Sequence, residues 1–156
     1  MSEQEVRIVR LEPMKVAMSY GFGASPEGIA WDKLLNWAKS KGLLGTVGTR
    51  FFGFNNPNPA PGSPNYGYEQ WMTVAPDVAG EGDVTIKTFD GGLYAVTRCT
   101  LDRIGEAWGQ LVMWREGSRY RPAHHQWLEE SISPPQETAA VGAGSAVLDI
   151  YLPIAE

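Results

Sequence analysis

Cysteine is nearly absent from this chain. Cys99 stands alone, so no internal disulfide can staple the fold and no cysteine-based metal centre can be built. Histidine is almost as scarce. His124 and His125 are neighbours, and on a strand they would point to opposite faces and could not share a metal. Neither a metal nor a cofactor is expected. Basic residues are outnumbered, 13 Lys plus Arg against 18 Asp plus Glu, for a formal net charge of -5. A nucleic-acid surface needs a basic stripe to displace counterions, so direct nucleic-acid binding is not expected. No apolar run approaches the roughly 20 residues of a membrane span. The opening Met1-Ser2-Glu3-Gln4-Glu5 is acidic and lacks the apolar core of a signal peptide, which makes a cytoplasmic location the default. No Gly-x-Ser-x-Gly elbow occurs, and Cys99 has no local nucleophile signature, so covalent catalysis finds no support. Gly21-Phe22-Gly23 with Gly28 lacks the spacing of a dinucleotide fingerprint.

Aromatic side chains are plentiful instead. Six Trp, six Tyr and five Phe make up 11% of 156 residues, and many fall on segments that read as strands. Val6 to Tyr20 is such a segment, broken at Pro13. Ser25 and Pro26 mark a helix start, with Glu27 suited to the positive end of its dipole. Ala30, Leu34, Trp37 and Ala38 then recur at helical spacing up to Gly42, which predicts a helix over about 26–41. Thr49 to Phe54 and Tyr66 to Ala75 read as strands around a proline-rich loop. In the latter, Tyr66, Tyr68, Gln70, Met72 and Val74 share one face, while Glu69, Trp71 and Thr73 share the other. The order then repeats. Val84 to Thr88 and Leu93 to Arg98 flank Asp90-Gly91-Gly92, which predicts a hairpin turn. Ile104, Ala107, Trp108, Leu111 and Val112 form the apolar stripe of a second helix, over about 103–117. His125 to Ile132, a Pro-, Gly- and Ala-rich loop, and Ala146 to Ile154 follow.

These elements predict an α+β fold made by tandem βαββ duplication. It is one domain over 1–156, with halves about 5–75 and 83–155 and an antiparallel sheet carrying two long helices. A central pocket is expected between the halves, because strand aromatics left uncovered by the helices converge there. The segment Gln126-Trp127-Leu128-Glu129-Glu130 bears most directly on function. Alternation sets Trp127, Glu129 and Ser131 on one face and Leu128, Glu130 and Ile132 on the other. At least one of the two carboxylates must therefore face a poorly aqueous environment. A carboxylate beside aromatic rings suits a cationic ligand or the activation of a water.

Five pieces follow one another in a familiar order: Tyr66-Gly67-Tyr68-Glu69-Gln70-Trp71, Gly91-Gly92-Leu93-Tyr94-Ala95-Val96, Trp108 through Trp114, Gln126-Trp127-Leu128-Glu129-Glu130, and Asp149-Ile150-Tyr151-Leu152-Pro153. In this the chain resembles GyrI-like proteins, the effector-binding domains of AraC- and MerR-type regulators, over almost its whole length. The resemblance implies a stand-alone domain that captures hydrophobic, aromatic or cationic compounds in an aromatic pocket containing a glutamate. The family's Phe-Glu-x-Tyr pattern is met by Leu128-Glu129-Glu130-Ser131, so Glu129 inherits the acidic role, or Glu130 if the register shifts by one. Expected ligand-binding residues are Glu129, Glu69, Tyr68, Trp71, Trp108, Trp127 and Tyr151. The alternatives are a hydrolase that adds water to a strained, cyclopropane-type genotoxin, with Glu129 as base and Tyr68 as hydrogen-bond donor, and an interaction protein that binds DNA gyrase or a regulator.

Overall fold

A computed structural model describes residues 5–133 and 144–156. The Pro-, Gly- and Ala-rich loop expected after Ile132 lies largely outside them. Among the described residues, nine strands and two α-helices run in the order β1 (Arg7–Leu11), β2 (Met14–Gly23), α1 (Pro26–Ser40), β3 (Phe51–Asn55), β4 (Tyr66–Thr73), β5 (Thr85–Phe89), β6 (Gly92–Thr100), α2 (Ile104–Glu116), β7 (Arg121–Pro122), β8 (Leu128–Ser131) and β9 (Val147–Ala155). A 3-10 turn, Leu101–Arg103, leads into α2. The predicted βαββ order thus occurs twice, with antiparallel strands and two long helices.

The chain divides into two compact units. Met14–Phe89 forms one, here the α1 unit; the segment through Pro13 joins Asp90–Glu156 in the other, the α2 unit. In the α1 unit the strand order is β3-β4-β2-β5, all antiparallel. The α2 unit runs β8-β9-β6-β1, also antiparallel, with short β7 pairing the end of β9. Each unit is therefore a βαββ core plus one extra strand beside its first strand, and those extra strands are exchanged in sequence. Strand β1 precedes β2 but pairs with β6, while β5 precedes β6 but pairs with β2.

This exchange corrects the expected hairpin. Asp90 and Gly91 do not fold β5 back onto β6; they carry the chain from one unit into the other. The glycine is still required there, because Gly91 holds φ +81° and its backbone lies against Leu11. The strand expected over His125 to Ile132 is also shorter, Leu128–Ser131. His125 sits ahead of it, with Nε2 2.7 Å from the Leu93 carbonyl oxygen.

Helix α1 covers one face of its sheet with Pro26, Ala30, Trp31, Leu34, Trp37 and Ala38, the apolar stripe of an amphipathic helix. Its start lies so close to β2 that a Cβ on Gly21 would sit 2.4 Å from the Pro26 carbonyl oxygen. Ser25 occupies the N-cap position without a side-chain cap bond, and proline supplies the first-turn preorganisation. At the other end Gly42, at φ +70°, closes a Schellman motif in which the Leu43 amide donates to Ala38 and the Gly42 amide to Lys39. Helix α2 buries only Ala107 and Leu111 outright, against Ala95, Leu148, Ile150, Leu152 and Ile154; Ile104, Trp108, Val112 and Trp114 pack half-buried around them.

Candidate functional site

Helix packing decides which residues of each sheet remain for other work. In the α1 unit the helix side carries Ser19, whose hydroxyl donates to the Ala30 carbonyl at 2.6 Å, and Phe51, whose ring lies 5.5 Å from that of Trp31. The β2–β4 and β3–β4 registers then put Tyr68, Gln70 and Met72 on that side, and Phe52, Phe54, Glu69 and Trp71 on the helix-free face. Tyr68 packs across Gly53, where a Cβ would meet its hydroxyl at 2.1 Å. Tyr68 and Trp71, both expected in the pocket, thus point to opposite faces, as strand alternation requires. A groove of about 210 Å³ on this unit, lined by Leu43, Val47, Met72 and their neighbours, contains none of the expected site residues.

On the helix-free face Glu69 is 4% exposed. Its Oε1 accepts hydrogen bonds from Trp71 Nε1 at 2.8 Å and from Lys87 Nζ at 2.6 Å, and its Oε2 accepts one from Asn56 Nδ2 at 3.2 Å. The Trp71 ring is flanked by Phe54 and Phe89, each with centroids at 5.2 Å, and Lys87 Nζ lies 5.1 Å above it. A buried carboxylate costs several kcal/mol unless it is compensated. Here three donors and one positive charge supply the compensation.

In the α2 unit, Ala95, Leu148, Ile150, Leu152 and Ile154 face the helix, so Tyr94, Val96, Arg98, Asp149 and Tyr151 lie on the helix-free face. Strand β8 pairs Leu128 with Tyr151 and Glu130 with Asp149, which puts Glu130 on that same face and Glu129 toward α2. Glu130 is 7% exposed, and Tyr151 donates its hydroxyl hydrogen to Oε1 at 2.6 Å. The Tyr151 ring meets Tyr94 edge-on at 5.4 Å, and Tyr94 in turn meets His125 at 4.8 Å. Burial pushes the Tyr94 phenol well above its ordinary pKa, so it serves as a donor, to the Gln126 carbonyl at 2.5 Å. Beside them Asp149 accepts from Arg98 Nε at 2.9 Å and Arg7 Nη2 at 2.8 Å.

Glu129 is half-buried on the helix side, beside Ile150 in the β8–β9 register. Trp127, 43% exposed, stacks obliquely on Trp108 of α2 at 5.2 Å. The structure therefore joins the expected residues in separate groups: Glu69 with Trp71, Tyr151 with Glu130, and Trp108 with Trp127. Lys87, Phe54, Phe89, Asn56 and Tyr94 join these groups without being among the residues expected from the sequence. Lys87 meets Glu69 only because β5 pairs with β2, a partner no local pattern reveals. Tyr94 was inside one of the resembling pieces and its alternation with Val96 could have found it. Among the described residues no group of three or more His, Cys, Asp or Glu stands together as a metal site, and no helix is long and apolar enough to cross a membrane.

The chain is thus a duplicated βαββ fold whose helix-free faces carry aromatic rings and buried carboxylates. The chain belongs to the GyrI-like small molecule binding domain family, whose pattern it matches over residues 4–155. No curated protein matches it in sequence. Among solved structures it is similar to the EcmrR C-terminal domain, at 13% identity and TM-score 0.70, covering 98% of each chain. It spans 57% of the EcmrR chain in a complex with DNA, covering 97% of its own length at the same identity and TM-score. A hydrolase from Listeria innocua is 9% identical with TM-score 0.64 over 99% of this chain and 94% of that one. SAV2435, solved with tetraphenylphosphonium bound, is 8% identical with TM-score 0.56 over 97% and 94%.

Proposed function

We propose that this domain captures hydrophobic aromatic compounds, lipophilic cations among them, and that Glu130 supplies the negative partner. The observation that carries the reading is the Tyr151–Glu130 hydrogen bond, 2.6 Å long, on the helix-free face beside Tyr94. An acidic group among aromatic rings attracts a delocalised cation through both charge and the ring quadrupole, while a neutral aromatic gains only the stacking. The tetraphenylphosphonium bound by SAV2435 is a ligand of this chemistry. Glu129, assigned the acidic role from the family pattern, is the second candidate, one residue away on the opposite face.

Titration of tetraphenylphosphonium into wild type, Glu130→Gln and Glu129→Gln tests the assignment. Glu130→Gln is expected to lose roughly 2–3 kcal/mol of affinity for the cation and much less for a neutral aromatic of similar size. Equal cation affinity in wild type and Glu130→Gln would reject Glu130, and a loss confined to Glu129→Gln would return the role to Glu129.

The same phenol–carboxylate pair favours a second reading, hydrolysis of a strained electrophile. Glu130 would take a proton from water as its oxygen bonds to the electrophilic carbon, while the strained carbon–carbon bond breaks and its electrons move onto a conjugated carbonyl oxygen, which is then protonated. Incubation with a cyclopropane-bearing dienone decides it: a product heavier by one water, formed by wild type and not by Glu130→Gln, supports turnover, and an unchanged compound leaves capture alone.

A further inference from the structure

We propose that Lys87 is a built-in occupant of a cation seat formed by Glu69 and Trp71, and that it sets ligand specificity by closing that seat to exogenous monocations. An organic cation of aromatic or alkylammonium type would be recognised by an anionic oxygen within hydrogen-bond reach and a π-face within about 6 Å. The Lys87 ammonium already has both, Glu69 Oε1 at 2.6 Å and the Trp71 ring centroid at 5.1 Å. Phe54 and Phe89 complete the aromatic wall on either side of Trp71.

The lysine reaches the seat from a distance. Lys87 is opposite Val16 in the β5–β2 register, and Trp71 is opposite Met18 in the β2–β4 register, so its stem crosses β2 to get there. Its ammonium therefore stands over the face of the Trp71 ring, where the headgroup of a ligand cation would sit. The seat is also open to exchange: the Lys87 side chain is 38% exposed although the Glu69 side chain beneath it is only 6% exposed. A monocation can enter only by displacing the tethered ammonium, whose effective concentration is high. Neutral aromatics face no such competitor.

This inference rests on the reading that the helix-free faces receive small molecules, but it concerns a different carboxylate from Glu130, so the two can fail separately. The test compares 2-phenylethylammonium with neutral 2-phenylethanol, measured by Trp fluorescence titration. Lys87→Ala is expected to bind the ammonium on the order of tenfold tighter than wild type, with the alcohol unchanged within about twofold. The gain should vanish in Lys87→Ala/Glu69→Gln and persist in Lys87→Ala/Glu130→Gln. No gain in Lys87→Ala, or equal gains for ammonium and alcohol, would overturn the proposal, the latter because space rather than charge would then be at work. If Lys87→Ala does not fold, Lys87→Met is melted with and without the ammonium. A rise in Tm absent from wild type supports the seat, and no rise rejects it. Should Glu130→Gln leave tetraphenylphosphonium binding untouched while Lys87→Ala gains affinity, the function assigned to Glu130 fails and the Lys87 seat stands.

Discussion

Gly91 passes so close to Leu11 that a Cβ at position 91 would lie 2.1 Å from the Leu11 carbonyl oxygen. The same residue holds φ +81°, a conformation that L side chains avoid. Two penalties therefore meet in one substitution. Gly91→Val is expected to lower stability by about 3 kcal/mol or more. Gly82 is the control, because it holds φ +62° with nothing near its missing Cβ. Gly82→Val should cost only about 1–2 kcal/mol. Urea unfolding of both variants separates backbone collision from backbone strain, and matching midpoints would mean that the contact with Leu11 contributes nothing.

Asp149 gives the fold an acid-sensitive point. Burial alone would raise its carboxyl pKa, but hydrogen bonds and charge from Arg98 and Arg7 outweigh that and hold it below the ordinary value. A carboxylate with a lower pKa folded than unfolded stabilises the fold above the unfolded value, near pH 4, and that contribution is lost as pH falls through the folded value. Asp149→Asn is expected to cost on the order of 2 kcal/mol at pH 7, less than a fully buried pair because both arginines are about half exposed. The gap between wild type and variant should narrow below about pH 4. A gap of the same size at pH 7 and pH 3 would show that shape, not charge, was lost.

Cys99 reports on the charge of Glu129. Burial first, then the charges of Glu129 and Asp149, push its thiol up to about 11. Since the thiolate is the reactive form, alkylation by iodoacetamide at pH 8 should be roughly 100-fold slower in the folded protein than in denaturant. Glu129→Gln should speed alkylation of the folded protein, and Glu69→Gln should not. If Glu129→Gln leaves the rate unchanged, the Glu129 charge does not reach the Cys99 thiol.

Much of this was legible in the sequence because it depends on local periodicity. The α1 stripe through Ala30, Leu34 and Trp37, the opposite faces of Tyr68 and Trp71, and the alternation of Glu129 with Glu130 all follow from spacings of 3.6 and 2. Alternation says that Glu129 and Glu130 face apart. It does not say which of the two faces a helix covers, and that is why the acidic role fell to Glu129 by family pattern alone. The chain at Asp90-Gly91 departs from the expected hairpin for a related reason. A turn-prone dipeptide between two strands favours local pairing, but here β1 and β5 pair with strands distant in sequence, a choice made by burial across each whole sheet rather than by the turn. Lys87 was hidden by the same non-local pairing.

Tyr151 and Glu130 are expected to act as a unit, which a double-mutant cycle can measure. Tyr151 is 2% exposed and its hydroxyl donates to a carboxylate that is itself buried, so the bond forms where water competes poorly. Removing the hydroxyl in Tyr151→Phe takes a charged acceptor's partner away and should cost about 1.5–3 kcal/mol of stability. Glu130→Gln keeps the shape and an acceptor oxygen but deletes the charge. Once the charge is gone the phenol has less to hold, so the double variant should be less destabilised than the sum of the two, with a coupling of about 1–2 kcal/mol. Tyr151→Phe with Glu129→Gln should instead add within about 0.5 kcal/mol, since Glu129 lies on the other face of β8. Urea midpoints for the five variants and wild type give both cycles. Coupling that appears with Glu129 and not with Glu130 would shift the strand by one residue and move the candidate binding carboxylate with it.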